Sequence, residues 1–320
     1  MENESVVIHI GYHKAASTYL QKRVFPKIPV NIALLTDYKG HILKLGESKE
    51  VFASQIRQWV HDEIHSQPHE KRHNITVISR EELSGHAYGH KNIDPFFIAD
   101  NLKRAFPKAK ILIIIRNQFE YILSVYAYRV AIKGIEFRGL RTFLSEEGPL
   151  GLFDKLEYDR LIEYYMSLFG QEQVVVFPLE FLNRQSEYFF NKLAELMRVH
   201  HIPVKSNKKI NASTRLAWVL RFWRPINFLF AGFLNVLERL HVPTNDYYYN
   251  IRFPFYRFRE EITKRLNRKF KTWPPLSIPP DFDGGILFSR YARSNKRLEQ
   301  LIRFDLKELG YPYNALIEKC

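Results

Sequence analysis

The chain has 320 residues, 46% hydrophobic and 15% aromatic, which is enough apolar material for one large α/β domain or two smaller ones. The net charge of +14 favours an anionic partner, such as a nucleotide, a nucleic acid, a phospholipid surface or an acidic glycan, without choosing among them. Its single cysteine, Cys320, excludes an intrachain disulfide and a cysteine metal site. The first residues are acidic, and no apolar run reaches about 18 residues. Together with the single cysteine, these features lead us to expect a cytoplasmic protein.

Strands alternate with helices along most of the chain. One helix is expected at Ser17–Phe25, and another ends with the stretch Asn101–Phe106. Further helices are expected at Phe119–Ile132, Leu156–Phe169 (with Gly170 as its cap), Gln185–Arg198 and Glu299–Leu309. The strands are expected at Val6–Ile10, Ile75–Ile78, Lys110–Ile115 and Val174–Phe177. The unbroken apolarity of Lys110–Ile115 is typical of a central parallel strand covered on both faces. This order predicts a three-layer α/β fold, with a central parallel sheet flanked by helices.

The character of the sequence changes between about residues 205 and 280. Aromatic residues and arginines interleave there, as in the run from Trp218 to Arg224, and four prolines close the segment. We expect a helical, aromatic-rich insertion or cap within a single domain of residues 1–320. Two interpretations stay open for its aromatic and basic side chains. They contact sugar rings or a membrane surface, or they form the core and rim of a helical subdomain.

The segment Gly11–Thr18 connects the first strand to the first helix. Such a junction directs backbone N–H groups and the positive helix end at one point, which favours an anion. A nucleotide triphosphatase would carry G-x-x-x-x-G-K-[ST] here. Counted from Gly11, the lysine position of that motif is Ser17, and a lysine occurs earlier, at Lys14. The strand Lys110–Ile115 is followed by Arg116 instead of a magnesium-binding Asp, so hydrolysis of ATP is not expected.

The run Tyr12–Thr18 resembles the first loop of the sulfotransferases that use 3′-phosphoadenosine 5′-phosphosulfate (PAPS), a family with a P-loop-like fold. The resemblance implies PAPS as donor and 3′-phosphoadenosine 5′-phosphate (PAP) as product, with Lys14 at the bridging oxygen and the sulfuryl group. It also implies that the 5′-phosphate is held by Ala15, Ala16, Ser17, Thr18 and Tyr19. A lysine can neutralise the leaving phosphate oxygen without a metal. The alternative is a surface Lys14 and a helix-capping Ser17.

A second anion site is expected after the strand Lys110–Ile115. Arg116 and Ser124 have the spacing of the residues that hold the ribose 3′-phosphate in the same family, and Gln118 replaces the family's usual Pro. An Arg at the end of a strand presents a planar fork to phosphate, and a helix hydroxyl adds a donor. Both anion sites follow strands and therefore lie on the ligand-binding edge of an open α/β sheet. The alternative is an Arg that caps the sheet edge.

The segment Ser79-Arg80-Glu81 resembles the S-x-E element of carbohydrate sulfotransferases, whose glutamate serves as general base, so Glu81 is the first candidate for that role. The alternative for Glu81 is a favourable charge at a helix start. His86 and His90 are the other candidates, and His13 is taken as structural. The 12 histidines show no metal-ligand spacing, so no metal is expected.

These patterns predict a sulfotransferase of bacterial carbohydrate type that moves the sulfuryl group of PAPS to a hydroxyl or amine of a carbohydrate or lipid-linked acceptor. Peripheral contact with the inner face of a membrane through residues 205–280 is one of the two interpretations left open above, and no nucleic acid is expected. A nucleotide kinase or NTPase of related fold, and a non-enzymatic basic protein that binds nucleic acid or membrane, are the alternatives. The sequence leaves open the acceptor, the sulfated position and the oligomeric state.

Overall fold

The computed structural model describes residues 5–35, 45, 51, 53–66, 73–85, 93–147, 153–203, 217–239, 258–266, 268, 276–278 and 285–313. The candidate bases His86 and His90 lie outside these residues, as do Cys320 and much of the segment 205–280.

Five strands form one sheet in the order β2-β3-β1-β4-β5, and every neighbouring pair is parallel. They are β1 (Ser5–Gly11), β2 (Asn31–Ala33), β3 (Ile75–Arg80), β4 (Lys110–Ile115) and β5 (Val174–Pro178). The predicted parallel sheet is confirmed, and the bounds of β4 are those expected from its apolar run. Strand β2 was not predicted, because three residues are too few for a periodic pattern.

Helices accompany the strands in the described part of the chain, and those whose bounds follow are labelled α1 to α10 in chain order. The first five are α1 (Ser17–Tyr19), α2 (Ala53–His65), α3 (Pro95–Ala105), α4 (Gln118–Tyr128) and α5 (Leu140–Glu147). The others are α6 (Tyr158–Phe169), α7 (Leu179–Arg184), α8 (Ser186–Leu196), α9 (Ala217–Arg239) and α10 (Gly285–Ile302). A further helical stretch covers 258–266. None of the described helices is both long and apolar enough to span a bilayer.

The first helical stretch departs from a regular α-helix. After α1 the chain makes a π-helical turn at Leu20–Val24 and a 3-10 turn at Phe25–Lys27. Pro26 lies in the last turn and lacks the N–H that a longer helix would need. The helix therefore stops where its prolines predicted.

One prediction about the C-terminal region is wrong. The expected helix Glu299–Leu309 is only the end of α10, which runs from Gly285 to Ile302. Arg303 has a φ of 57°, and such a left-handed residue terminates a helix. The Glu299 carboxylate then accepts a hydrogen bond from the Leu306 N–H at 2.7 Å, which stabilises the turns that follow.

One compact unit comprises Met1–Gln118, Leu150–Asn211 and Gly284–Cys320 and contains the whole sheet. Its core consists of the inner strands β1 and β4, where Val7, Ile8, Ile111 and Ile113 are fully buried. Helix α6 packs against both α3 and α10. Gly170 ends α6 as predicted, with its N–H bonded to the Met166 carbonyl.

The other compact unit comprises Phe119–Pro149 and Ala212–Asp283, and most of its described residues are helical. Arg259 organises its interior. The guanidinium of Arg259 lies 4.0 Å from the centroid of the Trp223 ring and donates to the Val130 carbonyl at 2.7 Å and to Asn227 Oδ1 at 2.8 Å. A buried arginine is tolerated when its donors are satisfied in this way. Arg259 and Trp223, a basic and an aromatic side chain of the insertion, are therefore structural.

Candidate functional site

The loop from Gly11 to Thr18, here called the anion loop, has a backbone that suits an anion. Lys14 and Ala16 have φ angles of 65° and 67°, and the Ala15 N–H bonds back to the Tyr12 carbonyl at 3.0 Å. Left-handed residues in a loop can turn neighbouring N–H groups toward one side, as they do in the concave anion sites known as nests. Because each left-handed non-glycine residue costs about 1–2 kcal/mol, the conformation is strained, and such strain concentrates at ligand sites.

Ser17 lies beneath this loop and is 1% exposed. Its Oγ has no hydrogen-bond partner among the described residues. The alternative of a helix-capping Ser17 does not fit the structure, because the N-cap position of α1 is Ala16 and no side chain caps the helix there. A buried hydroxyl without a partner is costly, which suits a site that awaits a hydrogen-bonding ligand. Thr18 is exposed and Tyr19 is partly exposed.

Gly11 is required where the anion loop leaves β1. A Cβ at Gly11 would lie 1.9 Å from Ser17 Oγ and 3.0 Å from Ser17 Cβ. The absence of a side chain at Gly11 therefore makes the space that the Ser17 hydroxyl occupies.

Glu81 lies at the end of β3, in the 3-10 turn Glu81–Ser84, and its carboxylate interacts with the anion loop. Burial raises the pKa of Glu81, and the nearby Lys14 ammonium opposes this shift. Glu81 Oε2 is 4.0 Å from His13 Nε2, and the Glu81 side chain is 28% exposed. The structure thus brings the predicted lysine and the predicted base together, and it adds His13, which the sequence had suggested was only structural.

A buried polar group lies under the end of β3. His9 Nδ1 is 2.7 Å from Ser79 Oγ, and the Gln21 amide donates to the same hydroxyl at 3.1 Å. Burial lowers the pKa of His9 to about 3, so this imidazole is neutral and serves as a hydrogen-bonding group. Ser79, two residues before Glu81, is thereby fixed from two sides. This hydrogen bond between His9 and Ser79 was not predicted, since His9 occurs within an otherwise apolar strand.

Arg116 follows β4 and reaches back to the anion loop. Its guanidinium Nη1 donates to the Lys14 carbonyl at 3.0 Å, and the Tyr158 hydroxyl donates to the Arg116 carbonyl at 2.7 Å. The side chain is buried. Arg116 therefore supports the strained residue Lys14 as well as providing a cationic fork at the edge of the sheet.

Ser124 lies on α4, is buried, and has an Oγ without a partner among the described residues. Arg116 and Ser124 belong to different compact units, and their joint hold on one phosphate stays a prediction. Elsewhere in the described chain no three His, Cys, Asp or Glu side chains are grouped so that they could hold a metal ion.

Comparisons with known proteins concern the fold. The chain resembles a sulfotransferase from Alicyclobacillus acidocaldarius, with a TM-score of 0.53 and 15% identity, over 96% of this chain and 98% of that one. A sulfotransferase domain from the curacin biosynthetic pathway matches with a TM-score of 0.39 and 12% identity over 68% of this chain and 82% of that one. Mouse sulfotransferase SULT7A1, whose structure contains PAP, matches with a TM-score of 0.37 and 15% identity over 68% of this chain and 63% of that one.

No protein-family model and no curated protein matches the sequence. The likeness to the Alicyclobacillus acidocaldarius structure shows that the chain has the sulfotransferase fold that its motifs predicted. A fold does not by itself identify a reaction, which depends on the residues of the site.

Proposed function

We propose that this protein transfers a sulfuryl group from PAPS to a hydroxyl or amine of an acceptor, in line and without a metal. The observation that carries the proposal is the anion loop. There, two left-handed residues, Lys14 and Ala16, and the unpartnered buried Ser17 hydroxyl lie together. The charge of Lys14 also acts on the candidate base Glu81. An anion on the loop would find N–H donors, a hydroxyl and a cation together.

The proposed step assigns one role to each of these side chains. The acceptor oxygen attacks the sulfur as its proton passes to the Glu81 carboxylate, while the bond between sulfur and the 5′-phosphate oxygen breaks. The electron pair of that bond goes to the phosphate, where the Lys14 ammonium neutralises the developing charge. A carboxylate whose pKa is raised is a stronger base than an exposed one, and burial raises the pKa of Glu81.

The alternative of a nucleotide kinase or NTPase is less compatible with the loop. The position of the Walker lysine is Ser17, which is buried, and Arg116 with Asn117 follows β4 in place of a magnesium-binding Asp. A non-enzymatic basic protein would account for the charge of +14 but not for a strained loop that includes a lysine and lies beside a half-buried carboxylate.

Thermal stabilisation by three ligands separates these functions. We expect PAP to raise the melting temperature, whereas ATP with Mg²⁺ and single-stranded RNA should have little effect at the same concentration. The matched control is Lys14→Met, which should reduce the shift by PAP. Stabilisation by ATP with Mg²⁺ alone would contradict the proposal, and stabilisation by RNA alone would favour the basic binding protein.

We infer a carbohydrate or lipid-linked acceptor, met at the cytoplasmic face of a membrane. In the unit that contains α9, three apolar side chains of this helix are exposed: Phe222 is 48%, Phe228 61% and Leu229 71% exposed. Arg221 is exposed on the same helix, and such a basic, aromatic face is suited to an anionic bilayer surface.

Vesicle co-sedimentation tests the membrane contact. Phe228→Asp with Leu229→Asp should abolish binding to vesicles that contain phosphatidylglycerol, whereas Tyr188→Asp, which alters an exposed aromatic residue of the other unit, should not. Unchanged binding by the double variant would contradict the membrane contact. A screen of glycans and glycolipids with sulfur-labelled donor would then identify the acceptor.

A further inference from the structure

The turn that carries Arg116 is held by hydrogen bonds at two neighbouring backbone groups. The Arg116 carbonyl accepts from the Tyr158 hydroxyl at 2.7 Å, and the next N–H, that of Asn117, donates to Glu180 Oε1 at 3.0 Å. These two atoms belong to the same peptide group. Because a peptide group is planar, bonds at both of its polar atoms fix its orientation, and with it the direction in which the Arg116 side chain leaves the backbone.

Glu180 owes its position to β5, the neighbour of β4. Ile115 is paired with Pro178 in the sheet, so the residues that follow the two strands remain side by side, and the Glu180 carboxylate meets the Asn117 N–H. Its other oxygen accepts from the Tyr311 hydroxyl at 2.8 Å. Burial, with the Glu180 charge nearby, raises the pKa of Tyr311 well above its usual value, so this hydroxyl remains a donor.

The C-terminal turn completes the arrangement. The Asn117 amide donates to the Gly310 carbonyl at 2.5 Å, and the Gln118 amide donates to Asn295 Oδ1 at 2.7 Å. Gln118 occupies the position where the resembling family has a proline, a residue that would stiffen the turn covalently. Here hydrogen bonds from two other parts of the chain provide that rigidity.

We propose that Glu180, itself held by Tyr311, is a positioning residue for Arg116 and thereby sets the preference for a nucleotide that carries a 3′-phosphate. The inference rests on the proposed function, in which Arg116 holds that phosphate. Glu180 does not touch the nucleotide in this scheme. It fixes the backbone of Arg116, while the bond from the guanidinium to the Lys14 carbonyl fixes the other end of the side chain.

Two nucleotides that differ only in the 3′-phosphate provide the test. Calorimetry gives the ratio of the dissociation constants of 5′-AMP and PAP for each variant. Glu180→Ala should lower this ratio by about tenfold, the size of one lost charge-assisted hydrogen bond, and leave the affinity for 5′-AMP unchanged. Glu180→Gln, which keeps an acceptor for the Asn117 N–H, should restore most of the ratio. In an Arg116→Gln background, Glu180→Ala should lower it no further.

A purely structural role would weaken both nucleotides equally and leave the ratio unchanged, and that result would overturn the inference. Tyr311→Phe removes only the hydroxyl that holds Glu180, so it tests the same point if Glu180→Ala does not fold. Tyr311→Phe should lower the ratio of the two dissociation constants by less than Glu180→Ala does. An unchanged ratio in a folded Tyr311→Phe protein would also overturn the inference. If the wild-type protein itself did not prefer PAP to 5′-AMP, the proposed function would fail and this inference with it.

Discussion

Replacing Ser17 by alanine should make the ligand-free protein more stable and make it bind PAP more weakly. The wild-type hydroxyl is 1% exposed and has no partner among the described residues. Leaving such a group buried costs about 1–3 kcal/mol, and alanine fills the same site without it. Alanine is also a better helix former than serine, by about 0.5 kcal/mol. The two effects have the same sign, so we expect a gain of at least about 1 kcal/mol.

The change in melting temperature follows from the size of the chain. At about 2.1 cal/mol/K per residue, the unfolding entropy of 320 residues is roughly 0.7 kcal/mol/K, so 1 kcal/mol corresponds to about 1.5 °C. Loss of a hydrogen bond to a charged phosphate costs about 1.5–3 kcal/mol. This weakens PAP binding by roughly tenfold or more and reduces the shift by saturating PAP by about 2 °C or more.

Differential scanning calorimetry with and without PAP measures both effects. The matched control is Ser84→Ala, because Ser84 is also buried but its hydroxyl donates to the Glu81 carbonyl at 3.0 Å. The Ser84 variant should be less stable than the wild type. The reasoning would be refuted if Ser17→Ala lowered the stability of the ligand-free protein while the shift by PAP stayed the same.

Three further substitutions test other parts of the site. Glu81→Gln should reduce turnover by about 10²- to 10⁴-fold and spare PAP binding. Burial raises the pKa of Glu81, and the base must be ionised, so wild-type activity should fall as the pH drops through this raised pKa. A loss of activity only at the ordinary carboxylate pKa, or full activity of Glu81→Gln, would contradict the assignment. Ala16→Gly should stabilise the protein by about 1 kcal/mol, since glycine adopts the φ of 67° without strain, and a lower melting temperature would argue against strain in the loop. Gly11→Ala should destabilise the fold by about 1–3 kcal/mol through overpacking against Ser17. Adding Ser17→Ala removes the 1.9 Å contact and should restore part of the lost stability. If it restored none, the clash with Ser17 would not be the cause.

The sheet and the anion loop were predictable because their signals are local. The strand Lys110–Ile115 is a continuous apolar run, and its predicted bounds are those of β4. The anion loop and Arg116 follow strands, so their common edge of the sheet results from parallel topology alone. The helix expected at Glu299–Leu309 was misplaced because its end depends on one left-handed residue, Arg303, which no periodic pattern reveals.

The contacts between distant segments were not predictable. His13 and Glu81 are 68 positions apart in the sequence and meet only because β1 and β3 are neighbours in the sheet. Glu180 belongs to no recognisable sequence motif, and its importance follows from the hydrogen bonds to Asn117 and Tyr311. Side-chain partners of this kind depend on tertiary packing, whereas periodicity reports only which face of an element is buried.

A crystal structure of the protein with PAP would test the central claim most directly. The account predicts the 5′-phosphate on the anion loop, hydrogen-bonded to backbone N–H groups of Ala16 to Thr18 and to the Ser17 hydroxyl, with Lys14 beside it and the 3′-phosphate at Arg116. A nucleotide bound away from the anion loop, or a Ser17 hydroxyl still without a partner in the complex, would contradict it.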